Sequence, residues 1–88
     1  MSYGVCWRPK ALEALRKIPK DIAKRLIQKI EAAKENPKHF LESLAGDPGY
    51  KIRAGDYRII VDIIEERKIL AVRIVGHRHN IYKRHLNV

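Results

Sequence analysis

Apolar residues recur along this chain with two different periods, and the change of period divides it into helical and extended parts. At the start, Tyr3, Val5 and Trp7 alternate with other residues, which predicts a short strand from Tyr3 to Trp7 with these three on one face. Pro9 ends that strand and suits the first turn of a helix. Leu12, Leu15 and Ile18 then fall at i, i+3 and i+6, one apolar stripe that Pro19 interrupts. Asp21 is placed to cap a second helix. There Ile22, Leu26, Ile30 and Ala33 form a stripe, with Ala23 and Ile27 beside it and Lys20, Lys24, Lys29 and Lys34 on the solvent side. Asn36-Pro37 stops the helix. The prediction is an αα-hairpin with one apolar face on each arm.

Phe40 to Leu44 reads as a short turn or helical segment, and Gly46-Asp47-Pro48-Gly49 as a turn. Three strands follow: Tyr50 to Arg53, Tyr57 to Ile64 and Lys68 to Val75. Tight connections at Ala54-Gly55-Asp56 and Glu65-Glu66-Arg67 make them an antiparallel meander. His77 to Val88 reads as a short helix or extended segment. The order strand, two helices, three strands gives an α+β fold, a single domain over residues 1–88, with one sheet and its helices packed on one face.

Strand alternation sorts the charges of the meander. Tyr50 and Ile52 share a face, as do Tyr57, Ile59, Val61 and Ile63, and Leu70, Val72 and Ile74. These must meet the helices. Lys51, Arg53, Arg58 and Arg73 are then expected on the face with no helices, with Ala71 and Val75 beside them, where four cations would make a phosphate site. Asp62, four residues from Arg58 and two beyond Ile60 on the same face, offers a salt bridge as the structural alternative.

Composition sharpens this into a preference for polyanions. Nineteen Lys and Arg face ten Asp and Glu, a net charge of +9, and the excess is present in both halves of the chain. A folded body so charged attracts nucleic acid or an acidic protein. Cys6 is the sole cysteine, which excludes an intrachain disulfide and fits a reducing cytoplasm; on a strand it is expected to be packed. The apolar runs Ile59–Ile64 and Ile69–Val72 are far too short to span a bilayer, and no signal peptide is recognised. His77, His79 and His85 lack the spacing and the Cys partners of a zinc site. Asp56, Glu65 and Glu66 read as turn residues, so no metal or other cofactor is expected.

The stretches Leu44-Ala45-Gly46, Tyr50-Lys51-Ile52-Arg53-Ala54-Gly55-Asp56-Tyr57-Arg58-Ile59-Ile60 and Val75-Gly76-His77-Arg78, with Tyr82, resemble the RelE/ParE superfamily of bacterial and archaeal toxins, and within it most the RelE branch. The likeness extends over nearly the whole chain, since the size and the order of elements also fit. It implies an endoribonuclease that cuts messenger RNA in the ribosomal decoding site and is held inactive by a cognate, RelB-like antitoxin. The ParE branch of the superfamily instead inhibits DNA gyrase without cutting RNA, and a nucleic-acid-binding module without activity is the third alternative. On the same resemblance, Lys51, Arg53, Arg58, Arg78 and Tyr82 match site positions of the family. Arg53 and His77 stand where a relative has lysine, and an arginine does not accept a proton at neutral pH.

Metal-free cleavage through 2′-hydroxyl attack needs a proton acceptor, cations on the phosphate and a proton donor for the departing 5′-oxygen. Arg58 and Arg78 suit bidentate phosphate contact. Tyr82 can stack on a splayed base or donate a proton, and stacking is favoured because an unperturbed tyrosine is a poor base. Lys51 and His77 are the two candidates for the proton work. Like-charge repulsion from Arg53, Arg58 and Arg78 favours the neutral amine of Lys51, and imidazole titrates near neutrality. Lys51, Arg53, Arg58, Arg73 and Arg78 together are the expected nucleic-acid contacts.

Overall fold

The protein is described from a computed structural model covering residues 2–84, with the side chains of residues 82–84 outside that description. Strand β1 (Gly4–Trp7) leads into helices α1 (Pro9–Arg16) and α2 (Lys20–Ala33), a single helical turn α3 (Pro37–Phe40) and a two-residue strand β2 (Glu42–Ser43). Strands β3 (Tyr50–Ala54), β4 (Tyr57–Ile64) and β5 (Ile69–His77) and helix α4 (Arg78–Arg84) complete it. The sheet order is β1-β5-β4-β3-β2, antiparallel except for the parallel pairing of β1 with β5.

Prolines and turn glycines place most of the predicted elements, with two departures. Pro9 and Pro37 occupy the first turns of α1 and α3, where a missing N–H costs nothing. Pro19 precedes α2, and Asp21 lies in its first turn instead of capping it. Gly55 takes a φ of 63° in the two-residue β3–β4 turn, the left-handed region a hairpin of that length requires. The segment expected as a turn or short helix splits in two. Phe40 closes α3, whereas Glu42 and Ser43 pair with Lys51 and Tyr50 as an edge strand.

The main core lies between α1–α2 and one face of the sheet. Leu26, Ile30 and Ala33 of α2 and Ala11 of α1 meet Ile52, Ile59, Val61, Leu70, Val72 and Val75. Tyr3, Val5 and Trp7 pack against this cluster half-buried, as alternation requires, and Cys6 points out to solvent, contrary to its expected packing. Lys20, Lys24 and Lys29 are exposed along α2, while Lys34 pairs with Glu31 at 2.7 Å.

Two expectations about the opposite face fail, for separate physical reasons. That face is not free of helices. Ile81 of α4 is buried there with Leu44, Ile60 and Ile74 in a second, smaller cluster. Gly76 allows this approach: a Cβ on it would lie 3.3 Å from Ile81 Cγ1. The alternation of β5 also breaks. Ile60 pairs with Ile74 but Val61 pairs with Val72, so Arg73 is the extra residue of a β-bulge. The bulge sends Ile74 to the α4 side and Val75 to the α1–α2 side, the reverse of a regular strand. The middle of β4 is consequently covered on both faces, and Ile59, Ile60 and Val61 are all fully buried.

Candidate nucleic-acid interface

Arg58 anchors the candidate site. It pairs across the hairpin with Arg53 of β3 and across β5 with Gly76, so its side chain lies on the α4 face of the sheet. Only 7% of it is exposed. One guanidinium nitrogen, Nη1, donates to the carbonyls of Gly55 and Tyr57 at 2.7 and 2.8 Å. Its Nε is buried with no hydrogen-bond partner among the described residues. The alternative, a salt bridge to Asp62, does not form, because the carboxylate of Asp62 is taken by Arg73, with Arg8 at 3.8 Å. A buried guanidinium held by carbonyls, with a donor left over, is unusual. Among the described residues no carboxylate pairs with it.

Arg53 stands directly opposite Arg58 and is largely exposed, 3.8 Å from Glu42 Oε2. Like charges directly opposite on neighbouring strands repel, so β3–β4 carries this repulsion at its turn end. Lys51 pairs with Ile60 on the same face and is half-buried. Arg78 opens α4, exposed, and its backbone N–H donates to the Asp56 carbonyl at 2.8 Å, tying the helix start to the β3–β4 turn. Lys51, Arg53, Arg58 and the start of α4 are thereby brought to one region.

His77 is not brought to that face. It pairs with Tyr57, whose ring it meets edge-on at a centroid distance of 5.7 Å, and Tyr57 belongs to the α1–α2 side. Its Nδ1 accepts from the His79 backbone N–H at 3.3 Å. Tyr82 lies on α4, but its side chain is outside the described residues, as is His85.

Arg73 departs furthest from expectation. It faces the predicted side, but its guanidinium is engaged by two carboxylates. Nε and Nη2 reach Asp62 at 3.1 and 2.5 Å, and Nη1 and Nη2 reach Asp47 at 3.2 and 3.0 Å. Hydrogen bonding to Asp62 and then Asp47 raises the basicity of this group further. Nothing in the sequence pattern marked Asp47 beyond its place in a turn, and the bulge that aligns Arg73 with both acids carries no local signal. In return, the hydrogen bonds from Arg73 and from the Gly49 N–H hold the Asp47 carboxyl below its usual value. A depressed carboxyl contributes stability above its unfolded pKa, about 3.9 for Asp, and loses it as pH falls through the folded value. An NMR titration is therefore expected to place the Asp47 midpoint below that of a free aspartate, and Arg73→Gln to return it upward. A midpoint unmoved by Arg73→Gln would show that the guanidinium is not its cause.

Among the described residues no helix is long and apolar enough to cross a membrane. The arrangement gathers Lys51, Arg53 and Arg58 at the turn end of β3–β4, beside the start of α4, with Glu42 at its edge. A putative RelE-like toxin protein of Escherichia coli is 32% identical over 81 residues, covering 89% of this chain and 85% of its own. The mRNA interferase toxin RelE of Escherichia coli K12 is 28% identical over the same shares. The toxin of the intact Escherichia coli RelBE toxin–antitoxin complex superposes with a TM-score of 0.77 at 27% identity, covering 86% of this chain and 96% of that one. The profile of the family described as ParE toxin of type II toxin–antitoxin system, parDE, matches residues 5–82, and the chain belongs to that toxin family.

Proposed function

We propose that this toxin is a RelE-type endoribonuclease that cleaves messenger RNA in the ribosomal decoding site by 2′-hydroxyl attack, without a metal, in the cytoplasm, and that a RelB-like antitoxin neutralises it. The observation that carries the reading is Arg58, a buried cation with a spare donor and no carboxylate partner among the described residues, beside Arg53 and Lys51. Preorganised cations of this kind stabilise charge that develops on a phosphate in the transition state. Arg78, at the exposed start of α4, is the second phosphate ligand, and Arg53 helps to hold the RNA backbone. Tyr82 stacks on the base next to the cut. The mRNA interferase name of a relative and the antitoxin bound to another support the same reading.

Lys51 shares the face of Arg58 and His77 does not, which favours Lys51 as the proton acceptor. In single-turnover cleavage, Lys51→Ala is expected to lose about 10²-fold, the contribution of one acid–base group, and His77→Ala much less. The reverse order would transfer the proton role to His77.

The matching profile is that of ParE toxins, which favours gyrase inhibition as the second reading. Induced expression separates the two. Mapped 5′ ends within translated messages, with unchanged plasmid supercoiling, are expected. Altered supercoiling with intact messages would establish the second reading instead.

A further inference from the structure

The bulged Arg73 does more than neutralise two acids. Asp47 belongs to the turn between β2 and β3, where its Oδ1 also accepts from the Gly49 N–H at 2.7 Å. A Cβ on Gly49 would lie 2.6 Å from Arg73 Nη2 and 3.2 Å from Asp62 Oδ1, so the guanidinium and its carboxylate fill the space a side chain on the turn would need. The Gly49 carbonyl in turn accepts from the Leu44 N–H at 3.2 Å. The Leu44 side chain is buried with Ile60, Ile74 and Ile81. Ile81 lies on α4, and α4 begins at Arg78. A continuous series of contacts therefore leads from β5 through the turn to the helix that carries a proposed phosphate ligand. Arg73 itself has three nitrogens committed to carboxylates and is turned away from that role.

We infer that Arg73 is a positioning residue: by fastening the Asp47 turn to Asp62 on the sheet it seats Leu44 against Ile81 and so fixes α4, with Arg78, beside Arg58. The inference rests on the cleavage reading for its effect on rate, but the fastening itself is measurable without RNA. Its sign separates it from simple electrostatics. Removing a carboxylate makes the protein more positive and by charge alone strengthens RNA binding. Loosening the turn slows cleavage, because small misplacements of a ligand to the reacting phosphate are costly.

The test uses the intact chain and the variants Arg73→Gln, Arg73→Lys and Asp47→Asn. Amide hydrogen exchange is followed at Leu44 and along α4, with single-turnover cleavage on programmed ribosomes and the salt dependence of binding to a single-stranded RNA. Arg73→Gln and Asp47→Asn are each expected to speed exchange at Leu44 about tenfold and to slow cleavage about tenfold. Asp47→Asn does so despite its added positive charge. Arg73→Lys is expected to remain slow, since one ammonium does not reproduce a planar fork spanning two carboxylates. The salt slope stays as in the parent protein. A slope reduced by about 0.7 in Arg73→Gln would mean one lost phosphate contact and would overturn the inference. So would full rescue by Arg73→Lys, cleavage by Asp47→Asn at or above the parent rate, or faster exchange with cleavage unchanged. If the parent protein cuts no RNA, the cleavage reading fails, and exchange alone decides the fastening: protection lost in the variants supports it, and protection kept refutes it.

Discussion

Arg58→Met is expected to slow RNA cleavage by about 10²–10³-fold, the loss that follows removal of one preorganised charge-stabilising donor, while raising the melting temperature. The two effects have one cause. Arg58 is 7% exposed, lies directly opposite Arg53 and buries an Nε with no partner among the described residues. An unsatisfied buried donor costs about 1–3 kcal/mol, and the facing cation adds repulsion. Against this stand two hydrogen bonds from Nη1 to carbonyls of the β3–β4 turn, which belong to Gly55 and Tyr57 beside solvent. Methionine fills the space of the aliphatic stem without a charge. A net gain of about 1 kcal/mol corresponds to a rise of about 4–8 °C in a domain of this size. Cleavage and calorimetry on the same preparation check both halves. Lower stability together with lost cleavage would make Arg58 a structural arginine whose loss is felt at the site. Higher stability with undiminished cleavage would remove it from the mechanism.

The sequence made the frame of this molecule readable because its signals are local. Proline positions and one apolar stripe per helix set α1 and α2, and turn residues flanked by alternating apolar positions set the meander. Arg53, Arg58 and Lys51 came to one face by the same arithmetic. The failures begin where alternation depends on distant pairing. The bulge at Arg73 exists because β5 pairs in two registers with β4, and no residue near it announces that shift. Ile74 and Val75 exchange faces in consequence, and Arg73 is carried to Asp47, 26 residues away in sequence. Burial of the Arg58 stem follows from its place mid-sheet beside Ile60, but enclosure of the whole side chain does not. A strand face reading Arg58-Ile60-Asp62 looks half polar until Ile81 and Leu44 close over Ile60. The family resemblance named site positions without revealing that Arg58 is enclosed and Arg73 engaged.

Ile60 gives the second large expected effect, on stability. A sheet with one solvated face would make Ile60→Ala cheap and Ile59→Ala costly, since the two point to opposite sides. Here both side chains are fully buried, Ile59 against α2 and Ile60 under α4. Truncating a buried isoleucine to alanine costs about 2–5 kcal/mol, a large part of the 5–15 kcal/mol that holds a domain together. Each variant is therefore expected to lose at least about 10 °C in melting temperature. Cleavage distinguishes them. Ile59→Ala opens a cavity on the far side of the sheet, so at temperatures well below its transition it is expected to cut RNA at nearly the parent rate. Ile60→Ala removes the seat of Ile81 next to Arg58, and its rate is expected to fall even where the protein is fully folded. Equal rates in the two folded variants would mean that the cluster beneath α4 serves stability alone, and that the position of Arg78 is set by the Asp56 carbonyl at the helix start.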